Sequence, residues 1–193
     1  MKTTLLLATN NKHKAEEIRA VIGEQFRVIT LTDAGINTDI SEPHDTIEAN
    51  ALEKSRFIYK LTGENCFGDD TGLEVKALNG APGVKSARYA GEQKSFDANI
   101  EKLLSELKGI EDREAEFKTV IALIWHGQEH LFEGITKGRI THERRGQHGF
   151  GYDPVFVPEG SEKTFGEMNL DEKNIFSHRK KATDKLIDLL KNI

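Results

Sequence analysis

Two adjacent aspartates, Asp69 and Asp70, are the residues of this sequence whose types and spacing most directly suggest chemistry. They lie in CFGDDTGLEV (residues 66–75), where we predict the end of one strand, a turn at the threonine and glycine, and a second strand. Two carboxylates about 4 to 6 Å apart repel one another and raise each other's pKa. Three interpretations are open: a solvated turn, in which Asp and Gly are common, a carboxylate pair for acid–base catalysis, or a site for a divalent cation.

The segment TNNKHK, from Thr9 to Lys14, offers hydrogen-bond donors and positive charge to an anion. It joins a short apolar run to a helical pattern, and the free amides and dipole of a helix N-terminus favour an anion there. Asn10, Asn11, Lys12 and Lys14 add donors and charge. The segment lacks the glycine-rich pattern of a P-loop, and the alternative is that Thr9 or Asn10 only caps the helix.

A second helical pattern brings further charged residues. Glu42 lies just before this helix and has no evident structural duty, whereas Asp45 and Glu48 fit a capping box at its start. Asn50 and Lys54 are four residues apart and share a helix face, so both could point into a cleft.

The stretch HGFGYDP and the last helix supply aromatic rings and donors. Phe150 and Tyr152, set among glycines, could stack on a planar base, with a well-packed turn as the alternative. His178 and Arg179 begin the last helix, and Lys173 lies a few residues earlier. Such donors suit keto oxygens or phosphates, although a His-Arg pair is more often found on the surface.

These residues must be positioned by interleaved strands and helices, which predicts an α/β protein with a mixed sheet. The predicted helices are KHKAEEIRAVI, residues 45–61, SFDANIEKLLSELK and residues 177–190. The predicted strands are TTLLLAT, FRVITL, NCFGDD, GLEVKAL, AEFKTVIALIWHG and EHLFEGITKGRI, the last two joined as a hairpin. NGAPGVKSARYAG and RRGQHGFGYDPVFVP are predicted to be loops.

Composition narrows the class of protein. The 193 residues suit a single domain, and a net charge of -5 argues against broad affinity for a nucleic-acid backbone. The only cysteine, Cys66, excludes a disulfide framework and a thiolate zinc site. No signal peptide and no membrane-spanning run of about 20 apolar residues is evident. We therefore expect a cytoplasmic protein.

The candidate residues together match one kind of ligand. A phosphate-like cradle, acidic residues for a cation, an aromatic loop and donors for an oxo-substituted ring are all met by a nucleoside triphosphate with Mg²⁺. This complementarity does not name a reaction.

The sequence resembles the inosine/xanthosine triphosphate pyrophosphatases nearly from end to end. The matching blocks are LATNNKHKAEEI, EANALEKS, DDTGLEV, GAPGVKSARYAGE, GFGYDPVF and EKNIFSHRKKA. The resemblance implies hydrolysis of ITP, dITP and XTP to the monophosphate and pyrophosphate, with Mg²⁺, by a homodimer. It also implies one pyrophosphatase domain over residues 1–193, with an elongated mixed β-sheet flanked by helices and two lobes around a central substrate cleft.

The resemblance also assigns roles to residues. Glu42 and Asp70 would hold the metal, and Asp70 would act as the general base, assisted by Asp69 and Lys14. Thr71 lies where bacterial members often have serine, and its hydroxyl retains the contact with the nucleotide. The predicted substrate-binding residues are Thr9, Asn10, Asn11, Lys12, His13, Lys14, Lys54, Thr71, Phe150, Gly151, Tyr152, Asp153, Lys173, His178 and Arg179.

Base selectivity is predicted to come from His178 and Arg179, which can donate to a 6-keto purine but not to the amino group of adenine. Two other functions compete with this one. A pyrophosphatase for modified pyrimidine nucleotides would not be expected to carry the SHR block. A nucleotide-binding regulator without catalysis is disfavoured by Lys14, Asp69 and Asp70.

Overall fold

The computed structural model describes residues 3–24 and 26–192 and shows a mixed α/β fold, which confirms the predicted fold class. Over these residues the strands are β1 (Thr4–Leu7), β2 (Arg27–Thr30), β3 (Cys66–Val75), β4 (Pro82–Gly83), β5 (Glu114–Trp125), β6 (Gln128–Ile140) and β7 (Phe156–Pro158). They form one sheet in the order β2-β1-β3-β5-β6-β7, with β4 paired to β3. β1 is parallel to β2 and β3, whereas β4 is antiparallel to β3 and β7 to β6.

Helices lie between the strands, as the sequence predicts. The helices of the described chain are α1 (Lys12–Ile22), α2 (Ile47–Thr62), α3 (Phe96–Glu106), α4 (Leu170–Phe176) and α5 (His178–Leu190). Ser95 caps α3 as predicted, but the cap of α2 is Thr46, whose side chain accepts from the Ala49 amide. The predicted capping box of Asp45 and Glu48 is therefore wrong.

The prediction of a strand, turn and strand around the two aspartates is also wrong. β3 runs without interruption from Cys66 to Val75, and eight of its ten residues are buried. Turn residues alone do not end a strand when its neighbours in the sheet satisfy the backbone, and β3 lies between β1 and β5. Asp69 and Asp70 are thus buried residues of a central strand.

The chain divides into two compact units. The first consists of the residues up to Asp70, Thr119–Gly134, and the residues from Arg179 onward. The second consists of Thr71–Lys118 and Ile135–His178. The predicted single domain, the elongated shape and the central cleft stay predictions.

In the first unit, successive residues of the central strands enter different cores, since side chains alternate across a sheet. Phe67 packs with Ile18 of α1 and Leu186 of α5, whereas Cys66 packs with Ile58 of α2. Each large apolar side chain that is fully buried in this way contributes about 1.5 to 3 kcal/mol. By this alternation, residues 67 and 69 face α1 and α5, and residues 66, 68 and 70 face α2.

The predicted hairpin between β5 and β6 is confirmed as a two-residue connection. His126 and Gly127 both have positive φ, the backbone that favours such tight hairpin turns. The two predicted loops are more ordered than their glycine content suggests: they contain β4 and β7, and short 3-10 turns at Ser86–Arg88 and Asp153–Val155.

The second unit has its own core. Phe117, Phe156 and Phe165 pack there with Leu103 of α3 and Tyr152. Within residues 3–24 and 26–192, no helix is long and apolar enough to cross a membrane.

Candidate active site

The start of α1 is organised by its own polar side chains. Asn11 is the N-cap, and its Oδ1 accepts a hydrogen bond from the Lys14 amide at 3.2 Å. The Thr9 hydroxyl accepts from the Asn11 amide at 3.1 Å, and the Asn10 side chain donates to the Thr38 carbonyl at 2.9 Å. The cap therefore lies at Asn11 and not at Thr9 or Asn10. Phosphate binding by this segment stays a prediction.

The charged residues of the first turn of α1 point in different directions. Lys12 and His13 are exposed, with His13 Nδ1 4.0 Å from Glu16 Oε2. Lys14 instead turns inward, and its Nζ lies 3.1 Å from Asp69 Oδ2. Of these three candidates, only Lys14 is placed against the aspartate pair.

Asp69 is a buried carboxylate held by cations. Its Oδ2 contacts Lys14 Nζ and, at 3.3 Å, Arg179 Nε. Its Oδ1 is buried and has no hydrogen-bond partner among residues 3–24 and 26–192. Burial alone would raise the pKa of Asp69, but the charges of Lys14, Arg179 and Lys54 outweigh it and hold the pKa at about 2. Asp69 is therefore ionised at neutral pH.

Asp70 faces a different cation. Lys54 Nζ lies 2.8 Å from Asp70 Oδ1, 2.5 Å from Glu42 Oε1 and 3.0 Å from the backbone oxygen of Asp69. Burial raises the pKa of Asp70, and the cations Lys54 and Lys14 offset this rise only in part. Burial would lower the pKa of Lys54, but Asp70, Glu42 and Asp69 outweigh it and raise the value.

The two aspartates are thus adjacent in sequence but differ in protonation behaviour. One has its pKa lowered and the other has its pKa raised, an arrangement that enzymes use to assign distinct acid–base roles to paired carboxylates. A base with a raised pKa is the better proton acceptor near neutral pH.

The predicted metal ligands both contact one ammonium group. Glu42 Oε1 lies 2.5 Å and Asp70 Oδ1 lies 2.8 Å from Lys54 Nζ, so the two carboxylates lie near one another. No cluster of three or more His, Cys, Asp and Glu side chains forms a metal site in the described part of the chain. Mg²⁺ needs only one or two carboxylates, since it keeps several waters. Glu42 and Asp70 therefore suffice in number for such an ion, and in this structure both contact the Lys54 ammonium.

In the second unit, Lys173 and Asp153 form a buried ion pair with Nζ 2.5 Å from Oδ2. The same oxygen accepts a hydrogen bond from the Phe150 amide at 2.9 Å. Gly149 makes room for this carboxylate: a Cβ there would lie 2.0 Å from Asp153 Oδ2, and the backbone φ of +73° also favours glycine. The ion pair therefore fixes the shape of the aromatic loop.

Aromatic rings surround this ion pair. Lys173 Nζ lies 5.3 Å from the ring centre of Phe150 and 5.2 Å from that of Phe165, which is within cation–π range. His178 stacks on Phe117, with ring centres 4.6 Å apart and planes 12° from parallel. The cluster offers flat aromatic surface and cationic or neutral donors together.

Three other predicted site residues belong to the second unit. Tyr152 is buried, and its hydroxyl donates to the Ser86 carbonyl at 2.9 Å, as the packed-turn interpretation expects. Burial raises the pKa of Tyr152. Gly151 has a φ of +60°, and Thr71 is a half-buried residue of β3. Contacts of these residues with a nucleotide stay predictions.

Arg179 has a different environment from the one that base recognition suggests. It belongs to the first unit, is 2% exposed, and its guanidinium contacts both Asp69 and Glu17. Burial would lower the pKa of Arg179, but the two carboxylates outweigh it and raise the value. Its predicted role in selecting a 6-keto purine stays a prediction, and its contacts add a role toward Asp69.

Sequence reasoning missed several residues that shape these clusters. Glu17 lies three residues after Lys14, a helical spacing that brings both side chains to one face. Gly68 precedes the aspartate pair on β3, where a Cβ would lie 2.8 Å from Lys54 Cβ. Phe117 and Phe165 come from distant parts of the chain, and only the fold brings them to His178.

The mixed sheet carries paired carboxylates with separated pKa values and a lysine beside a helix N-terminus, a combination typical of hydrolases that act on phosphate-bearing substrates. The chain belongs to the Ham1 family, which matches residues 5–189.

Two relatives of this chain are named dITP/XTP pyrophosphatase. The dITP/XTP pyrophosphatase of Flavobacterium psychrophilum is 50% identical over 188 residues, covering 97% of this chain and 99% of that protein. The dITP/XTP pyrophosphatase of Flavobacterium johnsoniae is 50% identical over 186 residues, covering 96% and 97%. The solved structure of the Staphylococcus aureus Ham1 protein is 37% identical, with a TM-score of 0.88, and covers 98% of this chain and 99% of that one. The family resemblance drawn from the motifs is therefore confirmed.

Proposed function

We propose that this protein hydrolyses dITP, ITP and XTP to the nucleoside monophosphate and pyrophosphate in a Mg²⁺-dependent reaction. The observation that carries the proposal is the aspartate pair on β3, in which Asp69 is ionised and Asp70 has a raised pKa beside Lys54. The substrates follow from the printed names of relatives 50% identical to this chain.

Asp70 acts as the general base in this proposal. Its carboxylate accepts a proton from a water molecule, whose oxygen forms a bond to the α-phosphorus while the α–β bridging oxygen departs with pyrophosphate. The raised pKa makes Asp70 a stronger proton acceptor than an ordinary aspartate. Asp69 stays ionised and keeps the lysines in place.

The positive side chains of the first unit stabilise the phosphates. Lys14 and the N-terminus of α1 suit an anion, and the charge of Lys14 opposes the negative charge that develops on the leaving pyrophosphate. Asp70 and Glu42 would hold Mg²⁺, which supplies charge neutralisation of the phosphates and a lowered pKa for water.

Taken by itself, the cluster of the second unit has the chemistry to bind a purine base. Lys173 and His178 can donate hydrogen bonds to an oxo group, and Phe150 offers a ring for stacking. Adenine presents a donor at the equivalent position, so a buried donor would be left without an acceptor, which disfavours ATP by roughly 5- to 150-fold. A homodimer, implied by the resemblance, and a cytoplasmic location belong to the same proposal.

Product analysis tests the function. Purified protein is incubated with Mg²⁺ and, separately, dITP, ITP, XTP, dGTP, ATP and dCTP, and pyrophosphate and orthophosphate release are both measured. Pyrophosphate from the first three substrates at a much higher kcat/KM than from the others is expected. Release of orthophosphate alone contradicts the proposal, and so does a kcat/KM for dGTP and ATP equal to that for dITP.

A metal titration tests the cofactor separately. Activity should disappear in excess chelator and return when Mg²⁺ is restored. Full activity after exhaustive chelation contradicts the metal assignment and leaves the substrate assignment to the product analysis.

A further inference from the structure

We propose that Glu17 is a positioning residue that acts on Asp69 through Arg179. The three side chains come from different elements: Glu17 from α1, Arg179 from α5 and Asp69 from β3. Arg179 Nη1 forms an ion pair with Glu17 Oε2, and Arg179 Nε lies 3.3 Å from Asp69 Oδ2. The inference rests on the proposed function, in which Asp69 supports the general base.

All three groups are buried, at 7% exposure for Glu17, 2% for Arg179 and 1% for Asp69. Buried charges must be paired, so the guanidinium cannot exchange either carboxylate for bulk water. Different nitrogens of the planar guanidinium meet the two acids, and this fork geometry fixes its orientation. Losing one acid removes one of the two ion pairs that orient the guanidinium.

The orientation of the guanidinium matters for Asp69. Lys14 and Arg179 both contact Oδ2, which leaves Oδ1 as the oxygen without a hydrogen-bond partner in the described residues. The direction of that oxygen is therefore set by how Oδ2 is held. Because Glu17 orients Arg179, it contributes to the placement of Asp69 Oδ1.

The test is a double-mutant cycle between Glu17→Gln and Asp69→Asn in the intact protein. Glu17→Gln keeps the side-chain shape and removes the charge. We expect kcat for dITP to fall about 10- to 100-fold, the range for residues that orient a directly acting side chain without contacting the substrate. KM should change by less than about threefold. In the Asp69→Asn background, Glu17→Gln should lower kcat by no more than about threefold, since the group it positions is already altered.

Glu64→Gln is the matched control. Glu64 is exposed and follows the C-terminal end of α2, so the same chemical change is made away from Arg179 and Asp69. Its kcat, KM and unfolding midpoint should match the wild type.

The outcomes separate positioning from general support of the fold. Equal proportional losses in both Asp69 backgrounds, or wild-type kcat in folded Glu17→Gln, overturn the proposal. If Glu17→Gln does not fold, Glu17→Asp keeps the charge one methylene short, and wild-type kcat in that variant also overturns it. If the wild-type protein does not hydrolyse dITP, the proposed function is wrong. The urea unfolding midpoints of the single and double variants then test the link through Arg179: non-additive changes support it and additive changes contradict it.

Discussion

Adding one methyl group at Gly68 should disable the site without replacing a charged residue. Gly68 faces α2, and an ideal Cβ there would lie 2.8 Å from Lys54 Cβ, 3.0 Å from the Ala51 carbonyl oxygen and 3.1 Å from Ser55 Oγ. The backbone φ of Gly68 is not positive, so glycine is needed here for space and not for backbone freedom. The absence of a side chain lets α2 approach β3 closely enough for Lys54 to meet Asp70.

The geometry sets the size of the effect. Carbon atoms pack at about 3.5 to 4.0 Å, so Gly68→Ala requires α2 to move away by about 1 Å. The Ala51 oxygen belongs to the backbone and cannot rotate aside, which makes a helix movement necessary. Such overpacking costs about 1 to 3 kcal/mol of stability. The same movement lengthens the 2.8 Å contact between Lys54 Nζ and Asp70 Oδ1, and a misplacement of about 1 Å at a catalytic group costs about 10²-fold in rate.

The assay compares Gly68→Ala with Ile58→Val. Ile58 is fully buried on α2 in the same core as Cys66, and its truncation costs about 0.5 to 1.5 kcal/mol without filling the space beside Lys54. Urea unfolding and dITP kinetics are measured for both variants. We expect both to lose stability and only Gly68→Ala to lose kcat. A folded Gly68→Ala protein with kcat within about threefold of wild type would refute the reasoning.

Three further predictions concern the charged groups. Asp70→Asn should lower kcat at least about 10²-fold with the fold intact, because an amide cannot accept the proton of water. Asp171→Asn, at an exposed position, is its control. Retention of more than about a tenth of wild-type kcat at saturating Mg²⁺ contradicts the role of Asp70 as the general base. Lys14→Ala should lower kcat/KM for ITP through lost phosphate interaction, and an unchanged value removes Lys14 from the site. The pKa of Asp69, about 2 in the fold against an ordinary 3.8, supplies roughly 2 kcal/mol of stability that is present above pH 4 and lost as pH falls through 2. Asp69→Asn should therefore lose less stability than wild type between pH 4 and 2 in urea titrations.

Local sequence signals predicted the elements that carry the site, though not all of their ends. The apolar run before Thr9 and the helical spacing after it predicted β1 and α1, and both are present. The helix cap lay one residue beyond the predicted choices, at Asn11, because several polar side chains in a row can all serve as caps. Boundaries of this kind depend on backbone geometry that composition does not determine.

The aspartate pair was predicted in the wrong element for a physical reason. Asp avoids buried strands because its carboxylate finds few partners there, and Gly weakens strands through its backbone entropy. Both preferences favoured a turn over residues 69–72. Lys14 and Arg179 supply the missing partners from elements more than 50 residues away in either direction. Tertiary ion pairs of this sequence separation leave no signal in a local window.

Two short elements were missed for a related reason. β7 has three residues and α4 has seven, too few for a periodic pattern, and each is fixed by pairing or capping. Asn169 and Glu172 form a capping box at the start of α4. That signal was present in the sequence as Asn-Leu-Asp-Glu and could have predicted the helix that carries Lys173.

The strand position explains how two adjacent aspartates avoid the repulsion that a turn would impose. Successive side chains of β3 point to opposite faces, so Asp69 meets Lys14 and Arg179 while Asp70 meets Lys54. Each carboxylate therefore has its own direct cation contacts. Lys14 and Lys54 act on both pKa values, but at Asp70 burial outweighs their charges. Had the two acids been two residues apart, both would face the same helices and compete for the same cations. Adjacency in a strand is thus the arrangement that lets one short segment provide an ionised carboxylate and a proton acceptor.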